Sequence, residues 1–217
     1  MDKLGNAPVA TRALKKKTED LDSLLPPPVD PLRHTLVLDM DRTLLAGLSQ
    51  MVPQDEGSDY FEVTPTQDGI ESKIYVYTRP GLQAFLTEMS ELYEVGVFTL
   101  SSKKRADRFL DEIDTDRELI KFRLYRDSAK HGVKDLSRLG RDLRKVIIID
   151  DNSRSYKLQK SNAIPIKSFE GLKSDTELTQ LIPLLRSLSK EEDVRPKLAE
   201  KFQVHDPRAS DVVNAQN

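Results

Sequence analysis

Cysteine is absent from this chain. That removes disulfides, thiolate nucleophiles and Cys-based zinc sites together, and it fits a reducing compartment. A basic excess is missing too: the formal charge is −2 over 217 residues, so a bulk nucleic-acid binder is not indicated. No apolar run approaches the ~20 residues that span a bilayer. The N-terminus has no apolar core like a signal peptide's, and its basic patch, RALKKKTED, runs straight into acids. No Gly-x-Ser-x-Gly elbow marks Ser101, Ser102 or Ser153 as a nucleophile. His34, His131 and His205 lack metal-ligand spacing, and there is no internal repeat. These absences leave a cytoplasmic or nuclear protein with no membrane span and no nucleic-acid partner, expected as a monomer.

What is present alternates between two periods. The length suits one α/β domain with tails. Residues 1–30 read as a flexible tail ending in the Pro-rich lead-in LLPPPVDP, and 204–217 as a second flexible tail, leaving a domain over 31–203. Three apolar, β-branched runs read as buried strands: TLVLD from Thr35, EVGVFTL ending near Thr99, and KVIIIDDN ending at Asp150, Asp151 and Asn152. KFRLYR (121–126) and NAIPI (162–166) are shorter candidates.

Helical spacing fills the gaps. Leu82, Phe85, Leu86, Met89 and Tyr93 share one face, with Pro80 expected in the first turn. Ala106, Phe109, Leu110 and Ile113 repeat the pattern. SDTE at 174–177 reads as a capping box opening a helix that Pro183 should kink. LSRLGRDL is apolar at helical spacing and is expected to pack. Between about 59 and 79, YFEVTP and SKIYVYT flank TQDG as in a small antiparallel insert. The whole predicts an α/β fold, a doubly wound parallel sheet with a small antiparallel β insert.

Ligands of such sheets bind beyond the carboxyl ends of the strands. Here those ends carry Asp39 and Asp41, then Thr99, then Asp151 and Asn152. Asp39 and Asp41 are two apart and share a side of an extended chain, a crowding that needs a cation or a chemical task to offset it. Oxygen-only donors with net negative charge suit Mg²⁺.

DMDRT resembles the D-x-D-x-[TV] motif of the haloacid-dehalogenase superfamily. Within it, residues 33–202 are similar to the aspartate-based protein Ser/Thr phosphatases of the small C-terminal-domain phosphatase and Dullard type. RPGLQAFL, VFTLSS, GVKDLSRLGRDLRKVIIIDDN and NAIPIKSF extend the similarity in order. The resemblance implies a Mg²⁺-dependent phosphatase of phosphoserine or phosphothreonine proteins. In it Asp39 is the nucleophile that becomes an aspartyl-phosphate, and Asp41 is the general acid and base. Thr99 and Lys134 hold the phosphoryl oxygens, and Thr43 fixes the turn beside them. Mg²⁺ is held by Asp39, the Asp41 carbonyl and Asn152, with Asp151 acting through water. Asp150 is expected to be structural.

Three departures stand out. Arg42 replaces the usual Glu between Asp41 and Thr43 and should point away from the site. AGLSQM (46–51) and SSKKRAD (101–107) replace the apolar and aromatic pocket that holds substrate proline, with Ser102 and Arg105 in the aromatic's region. Lys103, Lys104 and Arg105 oppose the dipole of their helix; they are either a solvated face or a recruiter of acidic substrates. Two rival functions remain: a catalytically weak phosphopeptide- or presequence-binding protein, and a phosphatase of lipid or small-molecule phosphates.

Overall fold

A computed structural model describes residues 23–67 and 70–202. His205, residues 1–22 and 204–217 of the expected tails, and Asp68 and Gly69 of the expected insert turn lie outside the described residues.

The apolar runs form one five-stranded parallel sheet. Its strands are β1 (His34–Leu38), β7 (Tyr93–Phe98), β8 (Phe122–Leu124), β9 (Val146–Asp150) and β10 (Ala163–Pro165), in the order β10-β9-β1-β7-β8. Side chains alternate across it. Leu36, Leu38, Ile147 and Ile149 join one buried cluster, whereas Val37, Val146 and Ile148 join another. Both faces are covered, which is why these strands are apolar without alternation.

The first cluster receives the buried stripes of four helices: α1 (Leu82–Leu92), α2 (Lys103–Ile113), α3 (Glu177–Leu188) and α4 (Arg195–Phe202). The second is closed by the tight 3-10 turns Leu136–Leu139 and Leu143–Lys145 and by Leu25. LSRLGRDL therefore packs, through Leu136 and Leu139. The start of the Pro-rich lead-in docks beside it: Leu24 N–H donates to Arg138 O at 2.7 Å, and Arg141 Nη1 donates to Pro26 O at 2.9 Å. On β7, Gly96 leaves room for a ring, since a Cβ there would lie 2.1 Å from Phe122 Cζ.

The antiparallel insert is larger than expected. β2 (Leu45–Leu48) joins β3 (Tyr60–Val63) and β6 (Ile74–Thr78) in the order β2-β6-β3, beside a ribbon of β4 (Thr66–Gln67) and β5 (Ile70–Glu71). It therefore begins at Leu45, just after the Asp39–Asp41 turn.

Two helix starts differ from the expectation. Pro80 stays outside α1, because Gly81 caps that helix at φ 78°. A side chain there would be strained and would approach Thr179 Cγ2 to 2.7 Å. The capping box of α3 does not form: the cap is Thr176, whose side chain accepts from no helix N–H, and Asp175 Oδ1 instead accepts from Glu177 N–H at 3.0 Å. Asp175 is held there by Arg79, a partner that local spacing does not reveal. The helix continues through Pro183.

Candidate active site

β1 lies between β7 and β9, so the three polar strand ends are neighbours. The register pairs Leu38 with Ile149, and Asp39 N–H extends the ladder to Ile149 O at 2.9 Å. The next step along each strand sets Asp39 beside Asp150. The chain then turns sharply. Met40 O accepts from the N–H groups of Thr43, Leu44 and Leu45 at 3.3, 3.0 and 3.1 Å. Arg42 takes the left-handed φ of 60° and reaches away to the Glu170 carboxylate, as the alternation argument expected.

This turn is braced from behind. Arg79 is buried and donates to Thr43 O at 2.9 Å, to Lys167 O at 2.6 Å and through two nitrogens to the Asp175 carboxylate, both at 2.8 Å. The Thr43 side chain is buried, its Oγ1 has no hydrogen-bond partner among the described residues, and it stands apart from the cavity lining.

A cavity of about 140 Å³ opens at the strand ends, lined by Asp39, Asp41, Thr99, Lys134, Asp151 and Asn152 among others. Buried Lys134 donates to Asp39 Oδ1 at 2.5 Å and to Asp150 Oδ2 at 2.7 Å. Its own N–H donates to Ser155 O at 2.7 Å, anchoring it. Burial pushes the Asp39 carboxyl up, Lys134 pulls it partly back and the Asp150 charge adds to the rise, leaving it at about 7. Burial alone would lower the Lys134 ammonium, yet its two carboxylates raise it. The ammonium therefore stays charged between two acids that it cannot fully neutralise.

Asp41 is more open. Ser101 Oγ donates to Asp41 Oδ2 at 2.7 Å, Thr99 Oγ1 lies 3.4 Å from the same oxygen, and Arg105 Nη1 lies 2.8 Å from Asp41 Oδ1. The Arg105 guanidinium is seated 4.7 Å from the Phe109 ring centroid, a favourable cation–π placement. Thr99 Oγ1 also accepts from Ser101 N–H at 3.0 Å.

The donor set suits a hard divalent cation. Carboxylate oxygens of Asp39, Asp150 and Asp151 lie within 4.8 Å of one another, opposed by one ammonium. Such an excess of buried negative charge calls for a further cation, and oxygen-only donors fit Mg²⁺. Asp150 orders the site: its oxygens accept from Lys134 Nζ (2.7 Å), Ser155 Oγ (2.6 Å) and Asn152 N–H (2.8 Å). Asp151 accepts from Ser168 Oγ, and Asn152 is exposed beside it. The Asp41 side chain is held by Ser101 and Arg105 at the edge of the cavity that it lines.

Sequence reasoning missed Ser101 and Arg105 as partners of Asp41, Ser155 as a partner of Asp150, and Arg79 as the brace. The RPG stretch offered a signal, but it reads equally well as a helix start.

A polar carboxyl edge on a parallel sheet, with two aspartates on the central strand's exit turn, is a haloacid-dehalogenase-like arrangement. The fold agrees with that of fission yeast RNA polymerase II CTD phosphatase Fcp1, solved as a variant bound to beryllium fluoride (TM-score 0.54, 22% identity, 89% of this chain and 57% of that one). Residues 34–195 match the NLI interacting factor-like phosphatase family, and the chain belongs to it. It is 44% identical over 170 residues to a probable C-terminal domain small phosphatase of Dictyostelium discoideum, covering 76% of this chain and 54% of that protein. It is 39% identical over 163 residues to human carboxy-terminal domain RNA polymerase II polypeptide A small phosphatase 1, covering 73% and 60%. The chain thus spans a little over half the length of these relatives.

Proposed function

We propose that the chain is a Mg²⁺-dependent phosphatase of phosphoserine or phosphothreonine proteins, working through an aspartyl-phosphate on Asp39. The observation that carries this reading is the Lys134–Asp39 contact at 2.5 Å, made at the cavity that Asp41 also lines. An Asp39 oxygen attacks phosphorus as the bond to the serine or threonine oxygen breaks. Asp41 gives its proton to that leaving oxygen. Asp41 then takes a proton from water, the water oxygen attacks phosphorus, and the bond to Asp39 breaks to release inorganic phosphate.

Two acids two residues apart are thus given separate tasks. The Lys134 ammonium and the Thr99 hydroxyl hold the phosphoryl oxygens, lowering the cost of bringing a phosphate dianion to a carboxylate. Asp39, the Asp41 carbonyl, Asn152 and Asp151 are the groups to hold Mg²⁺. When bound, the ion offsets negative charge on the transferring oxygens.

Turnover of p-nitrophenyl phosphate with and without Mg²⁺ tests the reading. The parent should hydrolyse it only with the metal, and Asp39→Asn should abolish turnover while remaining folded. Activity that persists in Asp39→Asn would overturn the mechanism.

A further inference from the structure

A second cavity, of about 380 Å³, runs between α2 and the antiparallel insert. Val63 and Ile74 of the insert and Phe109 of α2 give it apolar walls, and Lys104, Arg105 and Arg108 line it with positive charge. It borders the catalytic cavity through one side chain. Arg105 lines the groove and also ion-pairs with Asp41.

Two of the groove's three cations, Lys104 and Arg108, have no ion-pair partner among the described residues, whereas Arg105 pairs with Asp41. Lys103, first of the basic triplet, is taken up by Asp107 at 2.5 Å and by the Tyr125 hydroxyl at 3.2 Å. Lys104 and Arg108 are exposed and form no ion pair among the described residues. They stand four apart on one helix face, where like charges repel. Lys104 is in the opening turn of α2, where a cation opposes the dipole. Helix stability accounts for neither.

We propose that this groove makes the enzyme selective for phosphopeptides that carry a second anionic side chain, carboxylate or phosphate, near an apolar residue. The apolar residue packs on Phe109, Val63 and Ile74, and the second anion meets Lys104 and Arg108. Arg105 lies between groove and Asp41, facing both the bound peptide and the catalytic acid. This proposal rests on the phosphatase reading for its substrate class, but the groove can be tested by binding alone.

The test uses fluorescein-labelled phosphoserine peptides, identical except that Glu or Gln flanks a leucine beside the phosphoserine. Anisotropy titrations use the full chain carrying Asp39→Asn, which cannot consume the peptide. The acidic peptide should bind about tenfold tighter at low salt, as for two exposed ion pairs, and the preference should shrink with added salt. Adding Lys104→Ala and Arg108→Ala should erase the preference. The same two changes in the parent should leave p-nitrophenyl phosphate turnover unchanged.

Equal affinity for both peptides, or a preference that survives the double substitution, would overturn the proposal. So would displacement of the acidic peptide by phosphoinositide-bearing phosphatidylcholine vesicles at a lower concentration of accessible headgroup than of unlabelled peptide, since the groove would then be a lipid site. A clear binding preference without p-nitrophenyl phosphate turnover would count against the phosphatase reading and leave the groove's selectivity standing.

Discussion

Lys134 and Asp39 are 95 residues apart in the chain, and the Lys134 ammonium lies 2.5 Å from Asp39 Oδ1. Neither belongs at that depth by itself, because a buried charge without a partner costs several kcal/mol. Each makes the other tolerable, and Asp150, 2.7 Å from the same nitrogen, completes the group.

Removing the cation should therefore damage both folding and chemistry. Lys134→Ala leaves Asp39 and Asp150 side by side, with an expected stability loss of about 3 kcal/mol. Urea unfolding at pH 7 measures it. Mildly acidic conditions should recover part of the loss by protonating one acid. The rate on p-nitrophenyl phosphate should fall at least ~100-fold, as for loss of an oxyanion-stabilising group.

Asp39 should tilt stability against alkali in the metal-free protein. Its carboxyl titrates near 7 when folded, above the ordinary 3.8. Between those values the folded chain keeps a proton that the unfolded chain releases, so stability falls as pH rises through that window. Asp39→Asn removes the effect. In chelator, the parent should lose on the order of 2–4 kcal/mol relative to the variant between about pH 4 and pH 7. Paired unfolding curves across that range check it, and parallel pH profiles would refute the assignment.

The Arg79–Asp175 pair offers a test away from the cavity. The Arg79 side chain is fully buried and that of Asp175 is 12% exposed. Burial would raise the Asp175 carboxyl, but its bonds to Arg79 win and hold it below the usual range. Stability from this pair is present above the ordinary carboxyl pKa and is lost as pH falls through the depressed one. Asp175→Ala should cost about 3 kcal/mol at pH 7, seen as a melting temperature lower by roughly 6–12 °C. Because Arg79 also holds Thr43 O, turnover should fall in the same variant at temperatures where it is folded.

Much of this was legible in local pattern. A β-branched run at Val146–Ile149 says strand wherever it occurs, and Phe109 three residues after Ala106 and four before Ile113 says helix. Both signals depend on neighbours within four residues. The acids at Asp39, Asp41, Asp151 and Asn152's place after the strand could be read for the same reason: they follow apolar runs that end there. Asp150 could not. Its bond to Lys134 depends on the pairing of β9 with β1, which sets Asp150 beside Asp39.

Arg79, Ser101 and Arg105 escaped in a different way. Arg79 and Asp175 are 96 residues apart, and Ser101 is 60 from Asp41. A charge does not encode its partner over such distances, because electrostatic attraction is indifferent to position along the chain. Hydrophobic period could say which segments become strands and helices, and which of their faces are buried. The strand order, and with it the choice of partner for each buried charge, arose only when the folded sheet brought those segments together and excluded the water that would otherwise have solvated them.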